Sequence, residues 1–305
     1  MRAIVSFSAL VLVYLCAGCA DSHPELKEAE AQLTAIRQAG LLSSGSGAVQ
    51  IGTVRLIQPV ATRWGPAAQP FWWAELQGPD GSAGYLAWQA SGGRRLLDFS
   101  LEGVKAVTSP SAKAIGGIPP IQQFAIAGAD GVAVASGCVP TAGASLIAFW
   151  SRESSLNWRA GADEQALVSR VRARMPMVTI TDLEGYTDGK MSLAGASPMN
   201  LALAMQQDAD ERKVKVGVDF AYYNHGLLCR EIVAGRPVLV SCVVLVPRKP
   251  TLAWGHQVVA VGWAKIGEEN FVGIIDNFFE PRLAGSIRWI ANGFCQTMVT
   301  VRPER

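Results

Sequence analysis

Charge is scarce and evenly split in this chain: 27 Lys and Arg face 25 Asp and Glu over 305 residues, for a net charge of +2. No stretch gathers five basic residues, so the basic footprint that nucleic-acid binding needs is missing. Cysteine is equally sparse. Of six in all, Cys16 and Cys19 fall at the extreme N-terminus. The other four, Cys138, Cys229, Cys242 and Cys295, include no Cys-x-x-Cys pair, which argues against a structural zinc site. Histidine appears three times, which leaves few bases or ligands to choose from. No glycine-rich phosphate loop is present. Past Cys19, no apolar run reaches the length of a membrane-spanning helix.

What is present starts with the leader. Met1-Arg2 is a short positive start, Ala3 to Ala17 is almost continuously apolar, and Cys16-Ala17-Gly18 leads into Cys19. This run is too short for a permanent span and fits a secretory signal over residues 1–18, so export is expected. Ala17-Gly18-Cys19 resembles the lipobox of bacterial lipoproteins, with Cys16 where leucine is usual. That resemblance implies lipidation of Cys19 and a protein anchored in the bacterial cell envelope, facing the periplasm or the exterior. Its membrane contact would be through the anchor only. An ordinary cleaved signal is the alternative. In an exported protein two of Cys229, Cys242 and Cys295 can pair as a disulfide. Cys242 lies inside an apolar strand-like run, and buried free thiols are the preferred reading.

Residues 19–47 read as a helix and a linker. Asp21 or Ser22 is suited to cap it, Pro24 sits early, and Gly40 is suited to end it. Leu26, Ala29, Leu33 and Ile36 share one face. Residues 48–111 change to the period of strands: Val54 to Val60, Phe71 to Gln77, Tyr85 to Gln89 and Arg94 to Ser100. Gly78-Pro79-Asp80-Gly81 and Ser91-Gly92-Gly93 supply turn chemistry between them, which predicts a small antiparallel β-meander. It holds many aromatics and neither cysteine nor histidine, so it reads as a support or docking module. In residues 112–305, helices are predicted from Cys138, over Asp163 to Arg174, Met199 to Gln207 and Asn224 to Val233. Strands follow at Pro237 to Val246, His256 to Trp263, Phe271 to Ile275, Ser286 to Ile290 and Gln296 to Val301. Helices first and strands afterwards predict an α+β fold with an antiparallel sheet.

The chemistry centres on Ser136-Gly137-Cys138-Val139-Pro140-Thr141, a thiol placed where a loop becomes a helix. Pro140 suits a first helical turn, and the apolar run to Trp150 predicts a buried helix. Unpaired N–H groups and the helix dipole there favour a thiolate. Without a base, the same cysteine is as well explained as a small buried hydrophobe. His23 lies beside the predicted anchor. His225 precedes Cys229 by four residues, but two ligands without a third make no metal site, and it reads as a surface histidine. His256 differs, because it opens an apolar strand that would hold its ring rigidly at a cleft. Such a base needs an acceptor on its other nitrogen. The next strand ends in Asp276-Asn277, and antiparallel pairing returns that end to the level of His256. Alternation lets one of the two face it; Asp276 is preferred and Asn277 is the reserve.

This ordered set resembles the papain-like cysteine peptidases. The nearest branch is the bacterial peptidases akin to the double-glycine leader peptidases, with some likeness to streptopain. Cys138-Val139-Pro140-Thr141, the segment from Glu231 to Val238, and Gly255-His256 with its apolar strand carry the resemblance, over about residues 115–302. It implies a papain-like fold for residues 112–305, with Cys138 as nucleophile, His256 as base and acid, and Asp276 as orienting group. It also implies a peptide or protein substrate and no metal or organic cofactor. The family places a glutamine shortly before the cysteine to complete an oxyanion hole. Val132 stands six residues upstream here, and the nearest glutamines are Gln122 and Gln123, of which Gln123 is the expected donor. The same residues also suit other acyl transfers, such as deamidation or condensation. An inactive relative that binds peptides or supports an envelope assembly is the third expectation.

Overall fold

Alternating apolar residues dominate from Gln50 onward, and they build one large antiparallel sheet. The computed structural model describes residues 23–42, 49–60, 69–79, 81–92, 95–102, 104, 106–128, 131–152, 156–182, 185–187, 191–247, 249–277 and 285–304. The predicted signal, Cys19, the candidate caps Asp21 and Ser22, and the linker from residue 43 lie outside these.

Helix α1 (Pro24–Gln38) precedes a meander of β1 (Gln50–Ile57), β2 (Phe71–Gly78), β3 (Gly81–Gln89) and β4 (Leu96–Leu101). Its first residue follows His23, whose side chain makes no capping bond, and Ala29, Leu33 and Ile36 are its buried face. Two short strands follow, β5 (Val107–Ser109) and β6 (Ala112–Ala114), then a hairpin of β7 (Ala125–Ala127) and β8 (Ala133–Ala135). Helices α2 (Cys138–Trp150) and α3 (Glu164–Arg172) come next, then the pair β9 (Val178–Ile180) and β10 (Leu193–Gly195). The remainder is α4 (Pro198–Glu211), β11 (Val216–Tyr222), α5 (His225–Val233), β12 (Val238–Val246), β13 (Lys249–Ile266), β14 (Glu269–Ile275), β15 (Ile287–Ala291) and β16 (Cys295–Pro303). Five helices and a twelve-stranded antiparallel sheet among the described residues make the fold α+β.

The main path of that sheet runs β1-β2-β3-β4-β15-β14-β13-β12-β16-β11. The meander is therefore not a separate sheet. Its last strand pairs with β15 through Ser100 opposite Arg288, Phe99 opposite Trp289 and Asp98 opposite Ile290. A single apolar cluster also runs from α1 and the meander through α2, so the core does not break at residue 111 either. Leu228 and Ile232 of α5 pack on the opposite face of the sheet, against Val238, Val240 and Val244.

Two expectations are corrected here. His256 does not open its strand: β13 starts at Lys249, because Leu245 of β12 pairs with Ala253 and extends the hairpin well before the histidine. Strand β11, absent from the sequence-based set, lines the sheet edge against β16.

Helix α2 is buried almost all round, as its apolar sequence requires. Gly137 is the turn that admits it, with φ 96° and ψ 142°. An added Cβ would stand 3.2 Å from the Ala194 carbonyl oxygen and 2.9 Å from the end of Met177, in a backbone region L-residues avoid. Gly137→Ala should therefore cost about 1–3 kcal/mol in urea unfolding; a change below a few tenths would contradict this account.

Candidate active site

Cys138 is the first residue of α2, and the loop before it is pinned from several sides. The Thr141 hydroxyl donates to Gly137 O at 2.6 Å, and Ser136 Oγ lies 3.2 Å from Thr141 Oγ1. Arg172 of α3 donates to Ser136 O at 2.8 Å. From β13 comes His256, which is 3% exposed. From the end of β14 comes Asp276, whose Oδ1 lies 2.9 Å from His256 Nε2. Cys138 and His256 line the same cleft, and each stabilises the charged form of the other. With Nε2 on the carboxylate, Nδ1 is the nitrogen left to face sulfur. The three residues read from sequence as nucleophile, base and orienting group thus stand together in that order.

Their electrostatics follow from these contacts. Burial alone would raise the Cys138 thiol, but the His256 hydrogen bond and charge, then the N–H groups of Gln257 and Val139, outweigh it and hold the thiol below its ordinary value. Burial would likewise lower His256. The charge and hydrogen bond of Asp276, followed by those of Cys138, reverse that and raise the ring to about 9. Cys242, the cross-strand neighbour of His256, stays a protonated thiol because burial pushes it well up.

Asp276 is itself held. Its Oδ2 accepts from Arg288 Nη1 at 2.9 Å. Asn277 turns the other way: its Nδ2 donates to Cys138 O and Gln257 O, each at 3.1 Å. Gln123 is returned to this spot by the β7–β8 hairpin, since Ser136 N donates to Phe124 O at its base. Its Nε2 donates to Asn277 Oδ1 at 3.3 Å, and its backbone N–H donates to Asn277 O at 3.1 Å. Gln122 donates to Asp276 O at 3.2 Å. Gln123 thus reaches the site at Asn277, whose amide in turn bonds Cys138 O, while Gln257 lines the cleft.

That cleft has a volume of about 590 Å³ and takes Cys138 and His256 into its lining. Its walls are mostly apolar, with Val178, Ile180, Leu193, Pro198 and Trp254 among them. Trp254 stacks on the His256 ring at 5.3 Å and on Tyr186 at 4.9 Å, which screens the imidazole from water on that side. Gln257 is locked by Ser241 Oγ, which donates to its Oε1 at 2.6 Å, while its buried Nε2 has no partner among the described residues.

A second cysteine–histidine pair gives the contrast. His225 is half-buried rather than on the surface, because Tyr223 takes its Nδ1 at 2.9 Å and Cys229 Sγ lies 3.5 Å from its Nε2. Burial raises Cys229 and lowers His225, so this pair stays uncharged. No group of three metal-ligating side chains forms among the described residues. The four cysteines there are all free, although Cys242 and Cys295 face each other across β12 and β16.

No family model matches this chain, and no curated protein matches it. The geometry has to carry the reading by itself. Arg288, Trp254 and Gln257 are the site residues that the sequence left unread. Only Gln257, adjacent to His256, carried any local signal.

These charges set a pH window. Below the depressed thiol value the sulfur is protonated, and above about 9 the imidazolium loses its proton. Alkylation of Cys138 by iodoacetate, whose anion is drawn to an imidazolium, should follow a bell with its basic limb near 9. A rate that climbs only with the titration of an ordinary thiol would contradict the ion pair.

Proposed function

We propose that this protein is an exported, lipid-anchored cysteine peptidase with a papain-like fold, cleaving peptide bonds through Cys138, His256 and Asp276. The observation that carries the reading is the buried thiol–imidazole–carboxylate series opening onto an apolar cleft. The Cys138 thiolate attacks the amide carbonyl, and His256 passes its proton to the departing amine as the acyl-enzyme forms. Water, deprotonated by the same ring, then releases the acid. Asp276 keeps the ring oriented and compensates its charge through both steps. Nothing in this sequence of steps calls for a metal or an organic cofactor.

The oxyanion of the tetrahedral intermediate needs donors beside Cys138. The helix start offers its own N–H groups. Gln123 is the side-chain donor in this reading, because its amide carries two N–H groups and Asn277 takes one of them. That same bond to Asn277 is the observation favouring a second reading, an inactive relative that binds peptides in the cleft.

A thiol-reactive peptidyl probe tests the first reading. Labelling should be strong in the native protein, absent in Cys138→Ala and nearly lost in His256→Ala; equal labelling of all three would sink it. The oxyanion assignment has its own measurement. Gln123→Ala should lower kcat about 10²–10³-fold while iodoacetate still alkylates Cys138 at the native rate. A loss of that size in Gln257→Ala, with none in Gln123→Ala, would move the role to Gln257. Labelling without turnover in the native protein would favour the inactive relative.

A further inference from the structure

Five polar side chains cross the sheet in a diagonal line, one from each of five adjacent strands: Tyr85 on β3, Asp98 on β4, Arg288 on β15, Asp276 at the end of β14, and His256 on β13. The line follows from register. Asp98 pairs with Ile290, two residues from Arg288, and Arg288 pairs with Ile274, two residues from Asp276. Such diagonal neighbours share a face and lie within reach of long side chains. The contacts close at every step. The Tyr85 hydroxyl donates to Asp98 Oδ1 at 3.0 Å, and Arg288 Nε donates to the same oxygen at 3.0 Å. Arg288 Nη2 donates to Asp98 Oδ2 and to Leu245 O, and Nη1 donates to Asp276 Oδ2. Tyr85 lies under the guanidinium at 5.9 Å and stacks on Trp73 at 4.2 Å. Arg288 and Asp98 are each 1% exposed, so water replaces none of these bonds.

We infer that Asp98 and Tyr85, contributed by the N-terminal meander, are positioning residues of the active site that act through Arg288 on Asp276. A lone guanidinium beside Asp276 would compete with the imidazolium for the carboxylate. Asp98 supplies the countercharge, so charges alternate from Asp98 through Arg288, Asp276 and His256 to Cys138, and the carboxylate keeps its hold on the ring. Arginine suits the bridging place because its planar fork meets two carboxylates and a carbonyl at once, which an ammonium cannot do. The meander is then part of the site rather than a separate docking module.

The inference rests on the peptidase reading, and one experiment separates their failures. The groups facing His256 are Asp276, the Cys138 thiol and the neutral Cys242 thiol, with Arg288 behind Asp276. In the full-length protein, the pH profile of Cys138 alkylation by iodoacetate is measured for native, Asp98→Asn, Arg288→Lys and Tyr85→Phe forms, together with thermal unfolding. Asp98→Asn should move the basic limb down by about one pH unit, because the uncompensated guanidinium draws Asp276 from the ring. Arg288→Lys should move it the same way, and Tyr85→Phe by less. Variants that melt lower but keep the native limb would be scaffold changes, and that result overturns the inference while the native bell preserves the peptidase reading. A native protein with no bell overturns both. Should Asp98→Asn not fold, Tyr85→Phe, which removes one hydroxyl, decides by the same criterion.

Discussion

A guanidinium sealed from water must find its countercharges inside the protein, and Arg288 finds Asp98 on one side and Asp276 on the other. Removing one partner of such a buried pair typically costs about 3–5 kcal/mol, because the remaining charge stays desolvated. That penalty makes strand register an electrostatic matter. A slip of one residue in β4 or β15 would send Asp98 or Arg288 to the opposite face of the sheet. The displaced charge would then lie unpaired among the apolar residues of that face. The arrangement that satisfies Arg288 is the one that aims Asp276 at His256. Fold and site therefore share a single constraint, and the join between the meander and β15 is where it acts.

The two cysteine–histidine pairs show what a carboxylate adds. Both bring sulfur near an imidazole, and both are at least half-buried. Around His225 the neighbours are a tyrosine hydroxyl and a thiol, so burial favours the neutral forms. Around His256 a carboxylate already backed by a guanidinium reverses the balance. Proximity of the two residue types does not make a nucleophile. The third group, and what compensates that group, decide the protonation state.

These differences explain which parts were legible in the sequence. The thiol at a helix start could be read from Gly137, Pro140 and the apolar run behind them, since helix termini have local signatures. Asp276 could be chosen over Asn277 because strand alternation is also local, and the two residues do turn to opposite sides. The pairing of β4 with β15 could not be read, because 190 residues separate Asp98 from Arg288 and a strand carries no mark of its partner. Arg288 in Ile287–Ala291 looks like any polar residue in a strand until that partner is known. Gln123 shows the intermediate case: it was expected at the site despite its distance along the chain, and the device that returns it, a short hairpin, was not read. Strand β11 is a plainer omission, for Val216, Val218 and Phe220 alternate as an edge strand does.

The two sides of the imidazole have opposite requirements, and the structure separates them. Behind the ring, toward Asp276, the alternating charges gain strength from a low dielectric only while each is paired. The Trp254 and Tyr186 stack keeps water from one flank of the ring. In front, the proposed chemistry requires the thiolate to remain open to a carbonyl, so the cleft at Cys138 cannot be filled by the protein's own side chains. Apolar walls at Val178, Ile180 and Leu193 reconcile the two demands. They leave the cleft open to an apolar occupant, such as a segment of the proposed peptide substrate, which on entering would expel the water that screens the ion pair. The occupant would then complete a dry environment that the sheet builds on one side only. A polar occupant of equal size would fill the space and still carry water to the thiolate. In the proposed peptidase the apolar lining therefore bears on the rate of the chemical step as well as on binding.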